Sequence, residues 1–114
     1  MDRAQIEQVL INLLKNAREA SARRETPKIE VKAVFAPKVT SSLTAWRCTI
    51  TVRDNGEGIL PEVQDKIFVP FFTTKTAGSG IGLSLCKQIM NQHGGNITVY
   101  SEPGKGSCFT LQFC

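Results

Sequence analysis

The chain has 114 residues, 41% of them hydrophobic and 21% charged, with 14 Lys+Arg against 10 Asp+Glu for a net charge of +4. That is one globular domain. No apolar run approaches the ~20 residues that cross a bilayer, the N-terminal residues have no signal-peptide core, and the four cysteines form no CxxC pair, which argues against structural zinc. The basic excess falls in residues 1–47, with nine basic and five acidic side chains, but beyond Arg23-Arg24 it does not cluster. With only 7% aromatic residues, a solvated basic face is a better reading than a nucleic-acid surface. Cys48, Cys86, Cys108 and Cys114 are expected as free thiols in a cytoplasmic domain.

Residues 2–23 read as an amphipathic helix, because Ile6, Val9, Leu10, Leu13, Ala17 and Ala20 recur at helical spacing and fall on one arc. Asp2 is placed to cap it, Pro27 lies just past its expected stop, and Ile11 and Leu14 lie off the arc. Residues 28–35 alternate, with Ile29, Val31, Ala33 and Phe35 on one side of a strand. A polar loop over 36–45 is expected to close a hairpin onto a second strand, 46–54, with Cys48, Ile50 and Val52 on one side.

Residues 55–80 hold Gly56, Gly58, Pro61, Pro70, Gly78 and Gly80, with one short helical turn near 62–67; a connection this long is usually a functional loop or lid. Residues 81–93 read as a second helix, with Leu85, Cys86, Ile89 and Met90 on its apolar face and Gly94-Gly95 as its stop. Strands 96–101 and 107–113 follow, joined by a turn with Gly104 and Gly106; Phe109, Leu111 and Phe113 face inward. This order gives an α+β two-layer sandwich, a mixed β-sheet with helices packed on one face.

Several residues stand out chemically. Asn12 and Asn16 are four apart on the first helix, at the edge of its apolar arc. They are either ordinary surface amides or neutral oxygen ligands for Mg2+ held jointly with phosphates. Asp54 continues the inward period of Cys48, Ile50 and Val52, and an inward carboxylate is costly without a partner. It either makes an Asx turn in Asp-Asn-Gly or accepts a hydrogen bond from an exocyclic amine such as adenine N6. Gly78-Ser79-Gly80-Ile81-Gly82 opens the second helix as a phosphate cradle or a hinge, and is neither a Walker A loop nor a Rossmann turn. Phe68, Phe71 and Phe72 either clamp the long loop against the body while Lys75 points at a phosphate or simply anchor it. His93, the sole histidine, sits at a helix end and reads as a cap.

Together these segments resemble the ATP-binding catalytic domain of sensor histidine kinases, in a superfamily that includes type II topoisomerase, Hsp90 and mismatch-repair ATPases. Asn12-Leu-Leu-Lys-Asn16-Ala resembles the asparagine box, Asp54-Asn-Gly56-Glu-Gly58-Ile59 the first glycine box, and Phe68-Val-Pro-Phe-Phe-Thr-Thr-Lys75 the phenylalanine box. Gly78-Ser-Gly80-Ile-Gly82-Leu83 resembles the second glycine box, and Gly104-Lys-Gly106-Ser107-Cys-Phe109 the third, with Ser107 in place of a more usual Thr. The resemblance spans nearly the whole chain, 1–114, as one catalytic domain.

The resemblance implies a site for ATP and Mg2+ between the helices and a long ATP lid. In it, Asp54 would recognise the adenine amino group, and Gly58 would let the base lie close to the backbone beside Gly56 and Ile59. Asn16 would bind Mg2+ with Asn12 nearby. Gly78, Ser79, Gly80, Ile81, Gly82 and Leu83 would line the phosphate side, with Phe72, Ser107 and a lid Lys75 completing it. The ATPase branches carry a water-activating Glu where this chain has Asn12, which cannot take a proton at neutral pH. That favours the kinase branch over an ATP hydrolase or protein-serine kinase of the same superfamily.

Transfer of the γ-phosphoryl group to a histidine on a separate dimerisation and phosphoacceptor domain, and relay to a response-regulator Asp, would follow. No such acceptor hairpin lies within these residues, so the chain reads as an excised domain. The expectation is a cytoplasmic monomer without nucleic-acid or membrane contact of its own, from a homodimeric parent that could be membrane-anchored.

Overall fold

The computed structural model describes residues 3–39, 44–69 and 82–113. In chain order these form α1 (Arg3–Ala20), β1 (Ile29–Val39), β2 (Thr44–Asp54), a one-turn α2 (Pro61–Gln64), α3 (Gly82–Gln92), β3 (Asn96–Glu102) and β4 (Gly106–Phe113). The expected Asp2 cap and the lid segment 70–81 lie outside the described residues.

The four strands form one sheet in the order β1-β2-β4-β3, and every neighbouring pair is antiparallel. The expected mixed sheet is therefore corrected to an antiparallel one. The long connection through α3 does return the chain parallel to β2, but β3 lands one position further out. The β3–β4 hairpin then folds β4 into the gap, so the two parallel strands never pair.

The first hairpin is longer than its polar sequence suggests. β1 and β2 pair from Ile29↔Asp54 to Val39↔Thr44, with Pro37 opposite Trp46. Pro37 is tolerated because β1 is an edge strand, where a missing N–H need not break a ladder.

Alternation sets the two faces of the sheet. Val52, Asp54, Ile97, Phe109, Leu111 and Phe113 point to the side covered by α1 and α3 and are buried. From the helices, Val9, Leu13 and Ala17 of α1 and Cys86, Ile89 and Met90 of α3 fill the same core, flanked by Ile6, Leu10 and Leu85. Each fully buried Leu or Phe here contributes about 1.5–3 kcal/mol relative to exposure. Ile11 and Leu14, off the arc, are exposed. The helices pack mainly over β2, β3 and β4 and only graze β1, and Ile29, Val31 and Phe35 share a face that stays exposed.

Helix ends are closed by specific contacts. α1 stops at Ala20, and the Ser21 hydroxyl bonds back to the Ala17 carbonyl at 2.8 Å, competing with continuation of the helix. After α3, Gly95 N–H donates to Met90 O and Gly94 N–H to Asn91 O, the paired bonds of a Schellman ending. His93 Nδ1 lies 2.7 Å from Ile89 O, the helix-end role its position suggests.

Candidate functional site

The inward period of β2 ends on Asp54, and the structure puts that carboxylate where the alternation predicts, 4% exposed. Its two oxygens have different surroundings. Oδ1 accepts the Gly56 N–H at 2.8 Å, which is the Asx turn. Among the described residues Oδ2 is buried and has no hydrogen-bond partner. A buried carboxylate oxygen without a donor is costly, so a donor brought by a ligand would be strongly favoured there. Burial pushes the Asp54 carboxyl above its ordinary value of 3.8, and backbone N–H groups of Gly56 and Ser107 only partly oppose that. One oxygen of the side chain thus makes the turn, and the other is left buried without a donor among the described residues.

The segment after Asp54 is packed closely on all sides. A Cβ on Gly56 would collide with the carbonyl of Ala20, so α1 and this turn touch through backbone alone. The Glu57 N–H donates to that same Ala20 carbonyl, closing the C-terminus of α1. Gly58 has φ of 77°, and a Cβ there would strike the Glu102 carbonyl. The crowding at Gly58 therefore comes from the protein's own β3–β4 turn, a reason for glycine that holds with no ligand present.

Ile59 N–H donates to Ser101 Oγ at 2.8 Å, and Ser101 Oγ lies 2.8 Å from Ser107 Oγ. Gln64 Nε2 ties the Ile59 and Ser101 carbonyls together. Through these bonds Asp54, Gly56, Gly58, Ile59 and Ser107 become one cluster, although they come from two distant segments of the sequence.

The other half of the site lies along α1. Asn12 is partly buried, and its Nδ2 reaches the Gly82 carbonyl at 3.5 Å, at the start of α3. It also lies 3.8 Å from the buried Cys86 thiol, and Gln8 donates to its Oδ1. Leu83 packs against the core beside it. Asn16, also partly buried, stands one turn further on, about 6 Å of rise from both Asn12 and Ala20. α1 is thus a bar with the opening of α3 at one end and the Asp54 turn at the other, and Asn16 sits between them. Phe72, Lys75, Gly78, Ser79, Gly80 and Ile81 lie outside the described residues. Phe68 is described, and its ring meets Phe109 edge-on at 6.4 Å, anchoring the start of that segment on the core.

Among the described residues no group of three or more His, Cys, Asp or Glu could hold a metal ion alone. An amide oxygen such as that of Asn16 suits Mg2+ as one ligand beside phosphate oxygens. No helix among the described residues is long and apolar enough to cross a membrane.

Sequence reasoning missed Arg24 and Asn55. Arg24 Nε donates to Asn55 O at 2.7 Å, while Nη2 donates to Gly56 O at 2.9 Å and to Gly104 O at 2.6 Å. Asn55 uses its side-chain amide on the Thr26 carbonyl and the Lys28 N–H. All these partners are main-chain groups, so no residue pattern announces them.

The chain is similar to known proteins over nearly its whole length. The family model described as histidine kinase-, DNA gyrase B-, and HSP90-like ATPase matches residues 1–114. The chain is 42% identical over 110 residues to the sensor histidine kinase ZraS of Salmonella typhimurium, covering 96% of this chain and 22% of that protein. It is 43% identical over 110 residues to the signal transduction histidine-protein kinase AtoS of Escherichia coli, covering 96% of this chain and 17% of that one. The chain thus spans about a fifth of the length of these curated relatives.

The solved catalytic domain of histidine kinase ThkA superposes with a TM-score of 0.73 at 38% identity, over 98% of this chain and 67% of that one. The chain belongs to the histidine kinase-, DNA gyrase B- and HSP90-like ATPase family, as a catalytic ATP-binding domain of the sensor-histidine-kinase kind.

Proposed function

We propose that this domain binds Mg-ATP across α1 and presents the γ-phosphoryl group to a histidine on a separate helical domain. The observation that carries the reading is Asp54 Oδ2, buried and lacking a donor, which an adenine N6 amine would supply. Gly56, Gly58 and Ile59 would hold the loop beside the base, and Ser107 would back it from β4. Asn16, with Asn12 beside it, would give the amide oxygen for Mg2+ at the phosphates. Gly82 and Leu83 open the helix toward the phosphate side. Phe72, Lys75, Gly78, Ser79, Gly80 and Ile81 are assigned to the lid and phosphate contacts from the sequence resemblance alone.

The chemistry asked of the protein is placement and charge neutralisation. The bond from the γ-phosphorus to the bridging oxygen breaks, and that oxygen keeps the electron pair as ADP leaves. A P–N bond forms to the acceptor imidazole, so no water-activating base is needed. Asn12 stands where a hydrolase of the superfamily would need a carboxylate, and it cannot take that proton. Partners in the full protein are then its own dimerisation and phosphoacceptor domain and a response regulator whose Asp receives the phosphoryl group. The parent would be a homodimer and this domain alone a monomer.

The test is to mix the chain with the phosphoacceptor hairpin of its parent and ATP labelled at the γ position. Acid-labile, base-stable label on the hairpin is expected, with little phosphate release by the chain alone. Steady ATP hydrolysis without the hairpin would contradict the kinase reading.

A further inference from the structure

The Arg24 guanidinium makes three hydrogen bonds among the described residues, to the carbonyls of Asn55, Gly56 and Gly104, and all three carbonyls lie on segments flanking Asp54. Its first bond has a particular consequence. The Asn55 carbonyl and the Gly56 N–H belong to one trans peptide plane, in which C=O and N–H point in opposite directions. Holding the Asn55 oxygen toward Arg24 at 2.7 Å therefore aims the Gly56 N–H away from it, and that N–H is the one donating to Asp54 Oδ1 at 2.8 Å. A cationic donor on the carbonyl also polarises the same peptide and strengthens its N–H as a donor.

The second and third bonds fix the frame in which that plane sits. Nη2 bridges Gly56 O and Gly104 O, tying the turn after β2 to the β3–β4 turn. Gly104 N–H returns a bond to Glu57 O at 2.7 Å. Arg24 itself is set by the bend after α1, where its N–H donates to Ser21 O.

We infer that Arg24 is a positioning residue for base recognition: through the Asn55–Gly56 peptide it occupies Asp54 Oδ1 and so leaves Oδ2 as the oxygen offered to the base. This rests on the reading of Asp54 as the acceptor for the purine amine. Loss of the guanidinium frees the peptide to rotate, Asp54 to turn, and the two oxygens to exchange roles. Affinity for a 6-aminopurine then falls, while a 6-oxopurine, which gains nothing from Oδ2, is affected less.

The experiment compares ATP and inosine triphosphate affinities for the chain with Asp54→Asn, Arg24→Gln, Arg24→Lys and the Arg24→Gln/Asp54→Asn pair. Arg24→Gln is expected to narrow the ATP preference about fivefold. Arg24→Lys, able to reach fewer of the three carbonyls, is expected to fall between it and the parent chain. In the Asp54→Asn background Arg24→Gln should leave the ratio unmoved.

In the amide spectrum, Gly56 N–H should lose hydrogen-exchange protection in Arg24→Gln. A purely structural Arg24 would lower thermal stability and weaken both nucleotides equally, leaving the ratio intact, and that result overturns the inference. An Asp54→Asn chain that keeps the full ATP preference overturns the underlying reading of Asp54 instead. If Arg24→Gln melts below the assay temperature, the Arg24→Lys ratio decides, and an unchanged ratio there rejects the role.

Discussion

The Gly56 N–H donates to Asp54 Oδ1 at 2.8 Å, while among the described residues Oδ2 of the same carboxylate is buried without a hydrogen-bond partner. Asp54 is thereby both a turn former and a buried acceptor.

Asp54→Asn should separate those two duties. Asn can keep the turn through its own Oδ1, but its amide would face a purine amine with a second donor. Losing a hydrogen bond to a charged group costs about 1.5–3 kcal/mol, so ATP should bind roughly 10- to 100-fold more weakly. The free protein should melt no lower than the parent chain, because a desolvated charge has been removed. Titration calorimetry and a thermal melt read the two effects separately.

The raised Asp54 pKa has a defined sign for stability. In the folded free protein the carboxyl binds its proton more tightly than in the unfolded chain, so its contribution is fully present below the ordinary value of 3.8. It is lost as pH rises through the higher folded value. ATP affinity should move the other way, rising across that window as the carboxylate form becomes available to accept. Asp54→Asn should lack both trends, which denaturant melts and binding isotherms at stepped pH would show.

Gly58→Ala should destabilise the fold even with no nucleotide present. Its φ of 77° is strained for alanine, and the new Cβ meets the Glu102 carbonyl. A loss of at least about 1–3 kcal/mol is expected. For a domain this small each kcal/mol lowers Tm by roughly 4–8 °C, measurable by circular dichroism.

The thiols should react in a set order. Cys86 is buried and burial pushes its pKa up, so it offers little thiolate; Cys48 and Cys108 are partly exposed. A thiol reagent at mildly alkaline pH should label Cys48 and Cys108 well before Cys86. Labelling of Cys86 should track unfolding, as mass spectrometry of peptides would report.

Much of this fold is visible in periodicity. Val9, Leu13 and Ala17 repeat every turn of α1 and are buried, and Phe109, Leu111 and Phe113 alternate on β4 and are buried. Asp54 could be placed inward for the same reason. Sheet order was not legible, because alternation says which face a residue takes and nothing about which strand lies beside it; β4 inserting between β2 and β3 is a tertiary choice. Strand length misled as well, since the polar residues around Pro37 look like loop but pair with β2 at the sheet edge. Alternation puts Ile29, Val31, Ala33 and Phe35 on one side of β1, yet it does not say whether that side is covered, and Phe35 is 68% exposed. Arg24 carries the least signal, since its partners are carbonyls that every residue possesses.

The central claim is that a donor from the purine completes Asp54. Its most direct test is calorimetric titration of the chain, with Mg2+ present, using ATP and GTP in parallel. The account predicts saturable one-to-one binding of ATP and at least about tenfold weaker binding of GTP, whose 6-oxo group cannot donate to Oδ2. Equal affinity for the two nucleotides, or no ATP binding by a chain that melts cooperatively, would contradict it.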